Sequence, residues 1–282
     1  MFDLGSPSER LRHQRARGTV RVEVACRNGS SGLSRLYQEG AGKARFPRRG
    51  AAARSEPVEA VLLNTAGGIT GGDLLSYRLA AGPDARLLAT TQAAEKIYRS
   101  LGDEGVLEAG LELGAGAQLA WLPQETILFD GARLRRSLDV DMAEDASLLA
   151  LESLVFGRRA MGETVRTAFV SDQWRIRRGG RLVYADAFRL QERGGRTLAR
   201  RGVLDGATAA ASLVYVAPDA EARLEEARAL LPPWPEVEAG ASAWDGLLAL
   251  RVVAREGAAL RRALVGFLEG FRAAPLPRVW RL

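Results

Sequence analysis

Apolar and polar residues alternate with a period of two through most of the first two-thirds of the chain. Residues 19–27 (TVRVEVACR) alternate almost without error, as do residues 134–141, and the run 175–190 breaks only at Gly179-Gly180. Such a period sends successive side chains to opposite faces of a half-buried strand. Gly179-Gly180 between two alternating runs predicts a tight hairpin. The alternation also recurs as a weak internal repeat: LAAGPDARLLATTQ (79–92), LELGAGAQLAWLPQ (111–124) and VDMAEDASLLALES (140–153). Each copy reads strand, short turn, small residue, strand. Ala85, Ala117 and Ala146 hold the same place about thirty residues apart, a spacing that signals stacked units. Stacked copies would align their polar ends, Gln92, Gln124 and Ser153, along one edge with Glu95, Glu125 and Glu152 close by. Hairpins in any Ala/Gly-rich chain look similar, so the stacking is an expectation to be tested.

The last third changes character. Residues 208–216 predict a strand. Asp219 predicts the N-cap of a helix running to Leu231, with acids in its early turns and Pro232, Pro233 and Pro235 to stop it. Residues 244–253 predict another strand, and Leu260, Leu264, Phe267, Leu268 and Phe271 recur at helical spacing over 257–271. The prolines of PLPRVWRL (275–282) predict an extended tail. The expected fold is therefore mainly β: a β body over 19–205 and a small C-terminal α/β layer over 206–282, in the order β-α-β-α with two helices. Residues 1–18 are expected to form a mobile tail, and no linker is long enough to divide residues 1–282 into separate domains.

Composition narrows the chemistry. The 282 residues are 47% hydrophobic and 26% charged, as in an ordinary soluble globular protein. One cysteine, Cys26, excludes an internal disulfide, and one histidine, His13, excludes a zinc site built on several His and Cys ligands within one chain. A Ser-His-Asp or Cys-His arrangement would depend on His13 in the expected tail, and no other general base near neutral pKa is evident. An enzyme is therefore not expected. The N-terminus lacks an apolar core for a secretory signal, and no apolar run is long enough to span a bilayer, so the expectation is a cytoplasmic protein without a membrane partner. The net charge of +6 comes almost wholly from arginine, since Lys43 and Lys96 are the only lysines. The arginines are dispersed, and the dense runs 10–17 and 45–54 are not interleaved with aromatics. Nucleic acid is thus not the expected partner, although a basic nucleic-acid-binding β protein remains the alternative reading. An acidic protein partner suits the same charge.

The most specific stretch is LNTAGGITGGD (63–73). Paired glycines permit positive φ and close approach of other groups. The run is not a phosphate loop, because no Gly-Lys-Ser/Thr follows and Asp73 would repel phosphate. Asp73 suits the cap of a turn as well as it suits a functional site.

Together with TTQAAEKIYRS, WLPQETILFDGARLRR, LLALESLVFGRRAMGE and the terminal PRVW, this stretch resembles the urease accessory protein D family, called H in some organisms. The resemblance runs from residue 19 to 280 and rests on five motifs in order. It implies a cytoplasmic chaperone for urease maturation, not an enzyme. Its partners would be apo-urease, accessory protein F and, through F, the GTPase G. It also implies a mostly β fold with helically stacked strands, and support of nickel insertion without a tightly bound cofactor.

Composition makes transient Ni²⁺ chemically coherent. Imidazole and thiolate bind Ni²⁺ tightly, and this chain has one of each. Oxygen ligands would hold the ion more loosely and exchange it faster, as passage requires. The family is thought to pass nickel along interior carboxylates. The positions that match its motifs here are Asp73, Glu95, Glu152, Asp186, Glu56 and Glu163, although an acid at Glu95 is not expected to be general. Glu152 lies among apolar residues, where a lone charge is costly. For each acid the competing reading is a structural ion pair with an arginine such as Arg99, Arg158 or Arg159. The apolar stripe of 257–271 fits either docking of accessory protein F or packing on the β body, and the basic run 45–54 is a second candidate contact.

Overall fold

One unit repeats along the molecule: a strand in a first sheet, a four-residue corner, a strand in a second sheet, and a longer loop back. The computed structural model describes residues 15–48, 56–158, 161–231 and 234–281. The first-sheet strands of successive units are β1 (Arg17–Arg27), β5 (Leu74–Ala81), β8 (Gly105–Leu113), β11 (Ala132–Met142) and β13 (Thr167–Arg178). They pair in parallel, and antiparallel β2 (Ser30–Gly40) and β14 (Arg181–Arg193) close the two ends. The second sheet stacks β4 (Val58–Asn64), β6 (Arg86–Thr91), β9 (Gln118–Leu122) and β12 (Ser147–Phe156) in parallel, with β3 (Gly42–Arg45) at one end. Short strands β7 (Glu95–Ile97) and β10 (Thr126–Leu128) ride in the return loops and pair with each other.

The repeat read from the sequence is the stack itself. Ala85, Ala117 and Ala146 are fully buried at successive corners. A ladder of backbone bonds links the corners: Gln118 N–H donates to the Ala85 carbonyl at 2.9 Å and Ser147 N–H to the Ala117 carbonyl at 2.8 Å. Corners this close leave room only for small side chains. The inward faces of both sheets, from Val20, Val22 and Val24 through Leu79, Leu111 and Val140 to Val214, form one continuous core.

The C-terminal region adds to this frame. Strands β15 (Ala209–Val216), β17 (Leu247–Ala254) and β16 (Val237–Trp244) extend the second sheet antiparallel beyond β12. Helix α2 (Gly257–Arg272) lies on the outer face of that sheet. Its whole apolar stripe is buried, Leu260, Leu264, Phe267, Leu268 and Phe271 each being at most 1% exposed. The stripe is core packing rather than a free docking face.

Four expectations change. The helix expected from Asp219 shrinks to α1 (Leu224–Ala229), because residues 217–223 form turns and Asp219 accepts the Tyr215 hydroxyl at 2.8 Å instead of capping. Pro232 and Pro233 lie outside the described residues. The strand expected over 244–253 is split by Asp245-Gly246, both at positive φ, which joins β16 to β17. Tight turns with two positive-φ residues match the right-handed strand twist; Asn28-Gly29 and Gly179-Gly180 do the same elsewhere. The tail is not wholly extended: Arg278–Arg281 forms a 3-10 turn, begun by the Trp280 N–H donating to the Pro277 carbonyl. Pro277 sits where a helical turn needs no N–H, so it permits the turn. Of the expected N-terminal tail, residues 1–14 lie outside the described residues, while Arg17 and Gly18 already belong to β1; residues 49–55 of the basic run are likewise outside.

Candidate functional site

Four charged residues sit on the inward phase of their strands, where apolar residues belong. Arg136 lies between Leu134 and Leu138 on β11, Asp172 between Val170 and Trp174 on β13, Glu152 between Ala150 and Leu154 on β12, and Asp186 beside Phe188 and Leu190 on β14. Parallel stacking brings the first three together between the sheets. Arg136 Nη1 donates to Glu152 Oε2 at 2.6 Å and to Thr126 Oγ1 at 3.1 Å, while Nη2 donates to Asp172 Oδ2 at 2.6 Å. Trp121 Nε1 donates to the other Glu152 oxygen at 2.9 Å. Arg136 is 2% exposed and both acids 6%.

Two carboxyl groups thus share one guanidinium, so the buried group holds one more acid than base. Asp172 Oδ1 and Arg136 Nε are buried with no partner. Burial pushes the Glu152 carboxyl above the usual carboxylate range, and nearby Asp172 adds to this against the pull of Arg136. Burial alone would lower Arg136, but Asp172 and Glu152 hold it above its ordinary value.

The polar file continues on both sides. Toward β14, Arg251 donates to Asp186 Oδ2 at 2.5 Å and to Ser212 Oγ at 2.9 Å; Ser212 is the register neighbour of Glu152. In the other direction the Trp121 ring lies 6.1 Å from that of Tyr77. Burial, and then the charge of Glu95, raises the Tyr77 pKa. Glu95 is half-buried at the loop edge, and Asn64 Nδ2 donates to it at 3.0 Å. Burial pushes Glu95 up to about 7, with Asn64 and Lys96 resisting. A carboxyl with a raised folded pKa costs nothing below its unfolded value and opposes folding as pH rises past it. Glu95→Gln is therefore expected to stabilise the protein by about 1 kcal/mol at pH near 8 and not at all near pH 4, measured by urea unfolding at both pH values.

The remaining predicted acids do not join the file. Asp73 is buried but spent on the backbone: its two oxygens accept the Ala16 and Thr70 N–H groups, each at 2.8 Å, which is the turn-capping reading. Glu163 binds Arg158 Nε at 2.9 Å, and that bond, with the Asp130 and Arg158 N–H groups, holds it below the usual range against a burial effect. Glu56 is exposed ahead of β4. Asp172 and Arg136 were not among the sequence candidates. Among the described residues, no three His, Cys, Asp or Glu side chains form a cluster able to chelate a metal. The file offers separated oxygen ligands, not a cage.

The remaining motif residues hold the C-terminus. Trp280, 3% exposed, donates its indole N–H to Thr90 Oγ1 at 3.0 Å. Gln124 donates to the Val279 carbonyl at 2.8 Å, and Arg261 from α2 ties Gln124, Glu125 and the Trp280 carbonyl at 2.8, 3.0 and 2.8 Å. TTQ, PQE and PRVW are thus three parts of one clasp.

Fold and interior define a class: a stacked two-sheet β protein with a buried Glu152–Arg136–Asp172 group in its core and no helix long and apolar enough, among the described residues, to cross a membrane. A family model described as UreD urease accessory protein matches residues 16–281. The urease accessory protein UreD of Xanthobacter autotrophicus is 50% identical over 277 residues, covering 98% of this chain and 94% of that one. The UreD of a Methylobacterium species is 50% identical over 275 residues, with 96% of each chain covered. The UreD of Rhizobium leguminosarum bv. viciae is 45% identical over 275 residues, covering 96% and 97%. The chain belongs to the UreD family of urease accessory proteins.

Proposed function

We propose that the chain serves urease maturation as a non-enzymatic cytoplasmic scaffold. It binds apo-urease together with accessory protein F and the GTPase G, and Ni²⁺ passes toward the urease active site along its interior carboxylates. The observation that carries this reading is the Glu152–Arg136–Asp172 group, which holds one more carboxylate than guanidinium between two closed sheets. Stability gives no reason to keep such a group, since apolar residues of similar volume do as well or better. A passing divalent cation would answer the surplus charge, and Asp172 Oδ1, without a protein partner, is the oxygen placed to meet it. Cys26 only packs at the margin of the core, and His13 lies outside the described residues. Oxygen donors alone hold Ni²⁺ loosely enough to release it.

The test is co-expression of urease with wild-type protein, Glu152→Gln or Asp172→Asn. The expected result is about a tenfold fall in nickel per purified urease active site for either variant, with co-purification of the accessory proteins unchanged. Loss of nickel and of the complex together would make these acids structural and end the passage reading.

A further inference from the structure

We propose that the outer edge of β2 pairs antiparallel with β2 of a second copy of this chain, so that the first sheets of two molecules join across a twofold axis at Tyr37. β2 ends the first sheet, and among the described residues no other segment pairs with its far edge. Such an edge is a template for another strand, and natural sequences block it with lysine or proline where pairing is unwanted. β2 (SSGLSRLYQEG) has neither. Its one irregularity is the extra residue Ser34, opposite the step from Glu23 to Val24, and residues 35–40 run regularly against β1.

The neighbouring strands set the backbone phase of this edge. The Ala16 carbonyl accepts the Leu74 N–H at the start of β5, and the Arg17 carbonyl accepts the Ala41 N–H just past β2, at 3.0 and 2.8 Å. Hydrogen-bonding direction alternates along a strand. Thr19, Arg21 and Glu23 therefore serve β2, and their register partners Glu39, Tyr37 and Arg35 turn their N–H and C=O groups to β1. Leu36 and Gln38 turn theirs to the open edge. With Tyr37 on the axis, Leu36 of one copy faces Gln38 of the other, and these two residues exchange N–H···O bonds.

The side chains favour the same register. Arg35, Tyr37 and Glu39 share the outer face of the sheet, away from the core-facing partners of Val22 and Val20. The axis at Tyr37 sets each copy's Arg35 opposite the other's Glu39. Moving it to Leu36 or to Gln38 loses both ion pairs and sets Arg35 or Glu39 against Tyr37 instead. Within one chain these charges make only exposed contacts, which contribute little: Arg35 lies 3.6 Å from Glu23, and Glu39 accepts the Tyr37 hydroxyl at 2.8 Å. The inner face supplies the apolar part. Leu33 and Leu36 stand opposite Val24 and Val22, on the phase that faces the core elsewhere in this sheet. They are nevertheless 44% and 38% exposed, because the second sheet ends here in the four-residue β3. Across the axis the two Leu36 side chains are diagonal neighbours and shield one another. A surface that is its own complement is what a twofold dimer requires. Edge pairing over so few residues makes a small interface, so the dimer is expected to depend on concentration.

The full chain alone is followed by sedimentation equilibrium, so the outcome is independent of the maturation reading. The wild type is expected to show a monomer–dimer equilibrium. Arg35→Glu and Glu39→Arg each set like charges opposite one another and are expected to weaken the dimer about tenfold. The double variant Arg35→Glu/Glu39→Arg restores opposite charges and is expected to recover wild-type association. A second measurement reads the register. Residues facing each other without mutual hydrogen bonds have Cα atoms about 4.5 Å apart, within disulfide range. In a Cys26→Ser background with oxidised glutathione, Tyr37→Cys is expected to form a covalent dimer, and Arg35→Cys, whose two copies lie far out of register, is not. A monomer at every concentration, a dimer that neither single reversal weakens, a double variant no better than the singles, or equal cross-linking at both positions overturns the proposal. A monomeric chain whose single reversals lower co-purification with apo-urease or accessory protein F assigns the edge to a different protein and likewise overturns self-pairing. Arg35, Tyr37 and Glu39 are exposed in the single chain, and equal urea midpoints, read where the wild type is monomeric, show that folded chains are compared.

Discussion

Arg136→Met is expected to cost about 3–5 kcal/mol of folding stability at neutral pH, because it removes one guanidinium and strands two carboxylates between the sheets. The three groups are at most 6% exposed, so water cannot replace the lost partner. The deficit should shrink in acid. The Glu152 pKa is already raised by burial, and without Arg136 it rises further. A raised folded pKa leaves stability intact below the unfolded value and removes it as pH climbs through the folded one. Unfolding in urea at neutral pH and near pH 5 should therefore show a smaller gap between Arg136→Met and wild type at the lower pH. The triple variant Arg136→Met/Glu152→Leu/Asp172→Leu should recover most of the loss, since a well-packed apolar replacement of a buried ion group is often neutral or stabilising. Recovery of stability by a chain that no longer supports urease maturation would mean that the charges are kept for function. A single variant as stable as wild type at neutral pH would show that the triad is not sealed from solvent.

The alternation that revealed the strands also contained this site. On β11 the inward phase runs Leu134, Arg136, Leu138, Val140, and on β13 Val170, Asp172, Trp174, Ile176. A charged residue in the apolar phase of a strand must meet a partner inside. Glu152 was legible from its apolar neighbours, but Arg136 and Asp172 needed the strand phase to be followed through the charge. The stack was legible because a small residue must recur at each corner, as Ala85, Ala117 and Ala146 do. The partners inside the stack were not, because which strand faces which across the sandwich depends on loop lengths, and period two carries no such information.

Local chemistry misled in two other places. Asp219 sits ahead of an acidic, helix-compatible run, yet the Tyr215 hydroxyl takes its carboxylate, and the helix begins only at Leu224. Asp245-Gly246 is a strong hairpin signal, but the apolar run around it reads as a single strand. Asp73 shows the opposite case: the glycine turn allows a cap as well as a functional site, and both of its oxygens accept backbone amides.

Trp280→Ala should cost about 3–5 kcal/mol, as for a large buried aromatic cut back in a close-packed site. The ring is 3% exposed against the outer core beneath α2, and its indole N–H is spent on Thr90. Truncation after Phe271 goes further. It removes Leu276 and Trp280 from that core, takes the Val279 carbonyl from Gln124 and the Trp280 carbonyl from Arg261, and leaves those donors half-satisfied beside Glu125. Each buried polar group left without its partner adds about 1–3 kcal/mol, so the truncated chain should be unfolded or nearly so. Any loss of partner binding on truncation would then follow from loss of the fold. Trp280→Phe separates the two causes: it keeps most of the packing, gives up the bond to Thr90, and should cost only about 1–2 kcal/mol. If Trp280→Phe folds with a lowered urea midpoint and its binding to the proposed partners, apo-urease and accessory protein F, matches that measured for wild type, the clasp is structural. If it is as stable as wild type but fails to bind either protein, the C-terminal turn belongs to the interface, and the motifs TTQ, PQE and PRVW are there to present it.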